Sequence, residues 1–207
     1  MQDEKVHCMQ IAKQYEKDYW DGDRRYGYGG YKYMAGRWKP VAEALIEKYD
    51  LTNISSVLDV GCGKAFLLYE MKLLLPNLRV AGFDVSRHGL ASAKKEIRDS
   101  LFVHRAQEPY PYEDNEFDFV MGFAAIYMLN LRGVMSALKE IQRVGKGKSY
   151  ITLGAYRTEE EKELFSMWTL LGTTHLHVDE WLEVFKVTGY KGDYFFTTAK
   201  SLHLLKE

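Results

Sequence analysis

Hydrophobic and polar positions alternate between two patterns along this chain. Short unbroken apolar runs are typical of strands buried on both faces, and they predict seven strands: 56–60, 79–86, 101–106, 117–123, 149–154, 194–196 and 202–205. Between these runs, apolar residues recur every three or four positions, which predicts helices: 3–18, 40–46, 65–75, 90–97, 131–144, 159–171 and 179–187. Strands that alternate with helices indicate an α/β protein built on a parallel sheet.

The turn after the first strand carries the clearest chemical signal. The run reaches Asp59 and then two glycines, Gly61 and Gly63, which let the backbone turn tightly and approach a ligand closely. The second strand ends at Asp84, 25 positions after Asp59. In a βαβ unit this spacing brings Asp84 beside the glycine turn, where its carboxylate can accept hydrogen bonds from both hydroxyls of a ribose. The sequence therefore predicts an adenosine-containing cofactor.

These residues resemble the class I S-adenosylmethionine-dependent methyltransferases. The resemblance is good over roughly residues 50–155 and looser over 175–207, and three segments carry it: 58–63, 82–86 and 112–120. It implies a doubly wound, mainly parallel seven-stranded sheet with an antiparallel closing strand. It also implies S-adenosyl-L-methionine as the cofactor and S-adenosyl-L-homocysteine as the product.

A nicotinamide-binding Rossmann domain is the main alternative for such a turn. Its fingerprint needs a third glycine where this chain has Phe66, which would crowd the helix against the strand and the pyrophosphate. Asp59 would also repel a pyrophosphate, whereas it would attract a sulfonium or an amino group. Methyltransferases often have a third glycine where this chain has Ala65, and we expect this change to shift the turn only slightly.

Twelve residues are predicted to contact the cofactor, because they lie in the glycine turn, at the ends of the next strands or in the aromatic stretch described below. They are Asp59, Gly61, Cys62, Gly63, Asp84, Val85, Ser86, Ala106, Gln107, Phe123, Tyr26 and Arg37. The resemblance implies that the adenine edge is read near Gln107, although a plain surface loop is the alternative there. Phe123 or a lid tyrosine is expected to pack on the adenine or the sulfonium.

Residues 19–38 alternate tyrosine and tryptophan with glycine and arginine. The stretch is either a surface loop that packs down on the domain or a lid over the cofactor and acceptor, and we favour the lid. Its arginines, Arg24, Arg25 and Arg37, could clamp a carboxylate or phosphate. Similar segments occur in bacterial methyltransferases associated with surface-polysaccharide genes. We expect a single methyltransferase domain over 1–207, in which 1–40 form an N-terminal helix and this lid.

Methyl transfer from a sulfonium needs mainly alignment and exclusion of water. A general base is needed only for a poor nucleophile such as a sugar hydroxyl. His175 and His177 are the candidate bases, and Tyr127 is expected to border the transfer site. The alternative is that His177 or Asp179 merely starts the next helix. The His-x-His spacing is not that of a strong metal site, so no metal is predicted.

The composition narrows the choice of partners. The 28 basic and 29 acidic side chains give no extended field for nucleic acid. The two cysteines indicate no disulfide framework, and we find no signal peptide or membrane-spanning run, so a cytoplasmic location is expected.

The leading hypothesis is a small-molecule methyltransferase acting on a sugar, a nucleotide-sugar or a phosphate-bearing capsule or O-antigen intermediate. The alternatives are a protein or RNA methyltransferase and a non-catalytic cofactor-binding subunit. The chain could form a homodimer or pair with a partner methyltransferase subunit.

Overall fold

The computed structural model describes residues 2–205. Its seven strands are β1 (Ser56–Val60), β2 (Arg79–Asp84), β3 (Leu101–Val103), β4 (Phe119–Gly122), β5 (Ser149–Tyr156), β6 (Leu176–His177) and β7 (Asp193–Thr197). Its helices are α1 (Gln2–Ala12), α2 (Lys17–Asp21), α3 (Lys39–Lys48), α4 (Phe66–Leu74), α5 (Arg87–Ala91), α6 (Lys95–Arg98), α7 (Leu131–Val144), α8 (Glu159–Trp168) and α9 (Val178–Thr188). No helix in this part of the chain has both the length and the apolarity needed to cross a bilayer.

The strands form one sheet in the order β3-β2-β1-β4-β5-β6, with β7 also paired to β5. From β1 the chain winds outward through β2 and β3, and then returns to the other side of β1 to form β4 and β5. The order therefore reverses between β1 and β4, and a ligand is expected beyond the carboxyl ends of these two strands. The predicted doubly wound, seven-stranded sheet is confirmed.

The closing strand differs in detail from the prediction. β7 runs parallel to β5, in register from Tyr150 opposite Asp193 to Gly154 opposite Thr197. A helical crossover through α8 and α9 separates β5 from β7, and such a connection returns the chain in the same direction. Residues 202–205, predicted as an antiparallel strand, instead follow a turn in which the Leu202 N–H donates to the Thr198 carbonyl over 3.0 Å.

Apolar side chains fill both faces of the sheet. On one face α7 and α9 contribute Leu138, Ile141 and Trp181, all fully buried. On the other face α3 and α4 contribute Leu45 and Met71. A third, small cluster packs α1 and α2 against the connection that follows α8. It consists of Ala12, Tyr19, Trp20 and Leu171.

The helix predicted over 3–18 is interrupted. α1 ends at Ala12 and α2 begins at Lys17, and between them Tyr15 has a φ of 55°. That left-handed conformation is uncommon for a residue other than glycine, and it cannot continue a helix. The break turns the chain across the carboxyl edge of the sheet, so that residues 13–31 lie over the site described next. We call residues 13–31 the N-terminal segment.

Candidate functional site

A cavity of about 400 Å³ lies at the carboxyl ends of β1 to β4, where the strand order reverses. Its volume is in the usual range for small-molecule sites. The sheet side is lined by Gly61, Phe83, Asp84, Val85, His104, Arg105, Ala106, Gln107, Phe123, Ala124, Ala125, Met128 and Leu129. The N-terminal segment contributes Lys13, Gln14, Tyr15, Tyr19, Trp20 and Tyr28.

The glycine turn forms the floor of the cavity, and both glycines have left-handed backbone. Gly61 has a φ of 76° and Gly63 a φ of 56°. A β-carbon on Gly61 would collide with the Ala125 Cβ, and one on Gly63 would lie 2.5 Å from Cη2 of Trp20. Glycine is therefore required at both positions, both by backbone conformation and by the close approach of neighbouring residues.

Ala65 replaces the third glycine that the family often has, and it also has left-handed backbone, with a φ of 54°. It precedes α4 as the N-cap residue and is almost fully buried. A left-handed alanine costs on the order of 1 kcal/mol relative to glycine. The turn thus keeps a glycine-like backbone at Ala65.

Asp84 ties the glycine turn to the start of α5. Its Oδ2 accepts a hydrogen bond from the Gly63 N–H at 2.8 Å, and its Oδ1 accepts one from the Ser86 N–H at 2.8 Å. Burial raises the pKa of the Asp84 carboxyl, although these two donors oppose the shift. Each carboxylate oxygen can accept more than one bond, so both remain able to accept a ligand hydroxyl.

Asp59 lies on β1 beneath the turn, and its side chain is buried. Its Oδ1 has no hydrogen-bond partner among residues 2–205. Burial, and secondarily the negative charge of Asp84, raises the pKa of Asp59 to about 8. An unpartnered buried acceptor of this kind is costly, and a cationic ligand group would offset the cost.

The raised pKa makes stability depend on pH in the ligand-free protein. Asp59 ionises near pH 4 in the unfolded chain but only near pH 8 in the folded one. The folded state therefore binds more protons between these values, and stability falls as pH rises through that window. We expect urea unfolding to show wild type losing up to about 1.4 kcal/mol per pH unit relative to Asp59→Asn between pH 5 and 8. Parallel stability curves for the two proteins would show that Asp59 is already ionised.

Aromatic rings of the N-terminal segment roof the cavity. Trp20 and Tyr28 are stacked at 5.0 Å with an interplanar angle of 5°, and the Tyr19 ring lies 5.3 Å from that of Tyr28. Burial raises the pKa of Tyr15, Tyr19 and Tyr28, so their hydroxyls stay protonated at neutral pH. The roof therefore offers aromatic faces and hydrogen-bond donors to a ligand.

Of the twelve predicted cofactor contacts, six line the cavity: Gly61, Asp84, Val85, Ala106, Gln107 and Phe123. Three others do not line the cavity but make the contacts described above. Asp59 is buried beneath the turn, and Gly63 and Ser86 donate their N–H groups to Asp84. The Cys62 sulfur lies beside Gly82 instead, since a β-carbon built there would meet it at 3.0 Å.

Tyr26 and Arg37, both predicted to contact the cofactor, do not line the cavity. The Tyr26 ring packs edge-on against His7 at 6.2 Å, and Arg37 donates to the Met34 sulfur at 3.4 Å. Tyr28, two residues after Tyr26, takes the position over the cavity. The alternation of aromatics and glycines indicated a lid, but it could not say which rings face inward.

The three predicted catalytic residues also lie outside the cavity wall. His177 begins α9 as its N-cap: its Nδ1 accepts from the Asp179 N–H at 3.3 Å, and its own N–H donates to Glu180 at 2.7 Å. This is the alternative role considered for His177 from the sequence.

His175 stacks on Phe165 at 4.1 Å, and burial lowers its pKa. Tyr127 is buried, and its carbonyl accepts the N–H groups of Thr173 and Thr174 at 3.1 and 2.9 Å. These contacts are structural, because both residues pack the segment after α8 onto the sheet. Within residues 2–205, no three His, Cys, Asp or Glu side chains are grouped to hold a metal ion.

Sequence reasoning missed Lys13, Gln14 and Tyr15, which line the cavity from the break between α1 and α2. Their only local signal is a thin apolar stripe that stops at Tyr15. His104 and Leu129 were also missed. His104 lies inside the predicted strand 101–106, near its carboxyl end, and Leu129 follows the predicted strand 117–123. The rule that ligands bind beyond the carboxyl ends of parallel strands could have found both.

A doubly wound sheet with this strand order, an acid-and-glycine turn after β1 and a carboxylate at the end of β2 defines the class I methyltransferase fold. Residues 51–189 match the model of the methyltransferase domain family. The chain belongs to this family.

Similar curated proteins include malonyl-[acyl-carrier protein] O-methyltransferase of Legionella pneumophila, 27% identical over 160 residues that cover 74% of this chain and 55% of that protein. Demethylmenaquinone methyltransferase of Thermotoga maritima is 27% identical over 150 residues, covering 72% of this chain and 61% of that protein. The chain thus spans less than two thirds of the length of either relative.

Among solved structures, a phosphoethanolamine N-methyltransferase 2 of Haemonchus contortus, in complex with phosphomonomethylethanolamine and S-adenosylhomocysteine, superposes with a TM-score of 0.60. It is 23% identical, and the match covers 77% of this chain and 39% of that one. At this identity the likeness is evidence for the fold alone.

Proposed function

We propose that this protein is an S-adenosylmethionine-dependent methyltransferase that acts on a small polar acceptor. The observation that carries the proposal is that two buried acceptor atoms at the site, Asp59 Oδ1 and Gln107 Oε1, have no hydrogen-bond partner among the described residues. The third such atom, His175 Nε2, belongs to a residue outside the cavity wall. The first two lie at separate places, one beneath the turn after β1 and one beyond β3. S-adenosylmethionine has two amino groups, one on its methionine part and one on its adenine, and these suit the two acceptors.

Asp84 is the proposed ribose ligand. Asp84 lines the cavity and holds the glycine turn by accepting the Gly63 N–H. In the sequence it lies between the two residues with unpartnered acceptors, Asp59 and Gln107. The adenine would then lie toward Ala106, Gln107 and Phe123, and the methionine toward Gly61 and Asp59. This arrangement assigns a role to eight of the twelve residues predicted from the sequence, with Gly63 and Ser86 holding Asp84 in place.

When bound, S-adenosylmethionine supplies a methyl group already activated on a sulfonium. The chain's own part is to bind and align it and to exclude water. Tyr19, Trp20 and Tyr28 line the cavity, and an aromatic face in contact with the sulfonium would attract it by roughly 0.5–2 kcal/mol. Because residues between Lys13 and Tyr28 cover the cavity, we propose that residues 1–40 form one functional domain with the rest of the chain.

We propose that the acceptor is small, polar and able to react without a protein base. The predicted bases His175 and His177 lie outside the cavity wall, and His104, which lines it, donates from Nε2 to the Pro109 carbonyl at 3.1 Å. The exposed side chains of Lys13 and Arg105 at the cavity mouth favour an acceptor with a phosphate or carboxylate group. A plain sugar hydroxyl, as in the polysaccharide hypothesis, would need a base. Neither curated relative is named for a sugar substrate.

Titration calorimetry of the purified chain with S-adenosylmethionine, S-adenosylhomocysteine and NAD tests the cofactor. We expect the first two to bind and NAD not to bind, and binding of NAD alone would contradict the proposal. Release of S-adenosylhomocysteine is then measured over a panel of small carboxylic acids, sugar phosphates and nucleotide sugars. Binding without turnover on any of these would favour the non-catalytic subunit hypothesis.

A further inference from the structure

Asp21, in the last turn of α2, connects the N-terminal segment to the body of the protein. The Lys64 Nζ donates to both carboxylate oxygens of Asp21 at 2.7 Å, and the His88 Nε2 lies 2.7 Å from Oδ2. The Lys64 side chain is only 4% exposed, and its third bond, at 2.8 Å, goes to the Tyr31 carbonyl in the same segment. The buried cation of Lys64 is therefore satisfied entirely by the N-terminal segment.

Two further side chains of the N-terminal segment, Glu16 and Trp20, contact the start of α5. The Glu16 carboxylate accepts the Arg87 N–H at 3.1 Å and the His88 N–H at 2.9 Å. The Trp20 indole N–H donates to the Ser86 Oγ at 2.8 Å. We call Glu16, Trp20 and Asp21 the clasp.

The clasp contacts the two chain segments that hold Asp84, and Ser86 is the residue common to both sets of bonds. The two backbone donors to the Asp84 carboxylate are Gly63, next to Lys64, and Ser86, whose hydroxyl accepts from Trp20. The clasp is thus linked to Asp84 by hydrogen bonds through Ser86 and by the peptide bond between Gly63 and Lys64. Docking of the segment and the orientation of Asp84 therefore involve adjacent residues of the glycine turn and of the start of α5.

We infer that Asp21 is a positioning residue for the cofactor site, acting through Lys64 so that closure of the N-terminal segment and cofactor binding are one coupled equilibrium. Asp21 does not line the cavity, so it would affect affinity without touching the ligand. Coupling of this kind is reciprocal: a bound cofactor tightens the segment as much as the docked segment tightens the cofactor. The inference rests on the proposed function, because it names the cofactor as the ligand that is coupled.

The test compares Asp21→Asn with Asp118→Asn, using S-adenosylhomocysteine as the probe. Asp118 is a matched control because its carboxylate also has three bonds, to the Ser56 N–H, the Ser56 hydroxyl and Lys146 Nζ, each at 2.8 Å. Its side chain is 33% exposed and that of Asp21 is 26% exposed. Asp118 precedes β4, at the opposite end of the sheet from the cavity.

We expect Asp21→Asn to raise the Kd for S-adenosylhomocysteine about tenfold and Asp118→Asn to leave it unchanged. Hydrogen exchange should show the ligand protecting the amides of residues 13–31 in wild type and much less in Asp21→Asn. An unchanged Kd for Asp21→Asn, or an equal rise for Asp118→Asn, overturns the inference. Failure of wild type to bind the probe would instead contradict the proposed function.

Two further variants keep the test decisive if Asp21→Asn folds poorly. Glu16→Gln keeps the side-chain shape and weakens the bonds to α5, so it should raise the same Kd by roughly threefold. Adding Lys64→Met to Asp21→Asn removes the buried cation together with its partner. If Asp21 acts through Lys64, the double variant binds the probe no worse than Asp21→Asn alone, whereas an additive loss means that the two act separately.

Discussion

Replacing Asp84 with alanine is expected to weaken binding of S-adenosylhomocysteine by about 100-fold or more. Two effects add in this variant. The ribose loses a charged acceptor, and hydrogen bonds to charged groups contribute roughly 1.5–3 kcal/mol each. The Gly63 and Ser86 N–H groups also lose their shared partner, so the glycine turn and α5 are no longer held together. Calorimetry measures the affinity, and circular dichroism checks that the variant is folded.

The control for this variant is Asp118→Ala, which removes a carboxylate that also accepts a backbone N–H, that of Ser56. Both variants should lose thermal stability, but only Asp84→Ala should lose affinity. Asp84→Asn is expected to fall between wild type and alanine, because an amide offers one acceptor oxygen in place of two. Near-wild-type affinity in Asp84→Ala would mean that the ribose is held elsewhere.

The sequence predicted those parts of the site whose geometry is local. The apolar run of β1, the two glycines and the acid at the end of β2 lie within one βαβ unit, where spacing alone decides which residues meet. The Gly63 N–H donates to Asp84, and Gly61 and Asp84 line the same cavity, in agreement with their spacing in the sequence. The direction of the last strand was harder to predict from the sequence. It is set by the crossover through α8 and α9 and not by the residues of β7 themselves.

The N-terminal segment shows where local reasoning stops. Tyr28 and not Tyr26 covers the cavity because Tyr28 can stack on Trp20, and Trp20 is itself held by Ser86 on α5. That contact joins residues 66 positions apart, and nothing in the local pattern indicates it. The role of His177 could not be decided from the sequence, because a histidine can serve as a base or as a helix cap. Only its surroundings in the fold distinguish the two roles.

Substitution of Gly61 by alanine is expected to weaken cofactor binding strongly, and substitution of a second glycine, Gly36, isolates the cause. Gly61 and Gly36 both have a φ of 76°. A β-carbon on Gly61 collides with the Ala125 Cβ, whereas one on Gly36 meets no atom within 4 Å among the described residues. Both alanine variants bear the same backbone strain, on the order of 1–2 kcal/mol, but only Gly61→Ala must also move the wall of the cavity.

Gly36→Ala should therefore lose about 1–2 kcal/mol of stability with unchanged affinity for S-adenosylhomocysteine. Gly61→Ala should lose more stability than this, and its affinity should fall by more than about 100-fold. Adding Ala125→Gly removes the colliding methyl group and should restore part of the lost affinity while leaving the backbone strain. If both single variants bound the probe as wild type does, the cavity floor at Gly61 would not be where the cofactor lies. If the added Ala125→Gly restored nothing, the loss would come from the strained turn and not from the collision with the Ala125 Cβ.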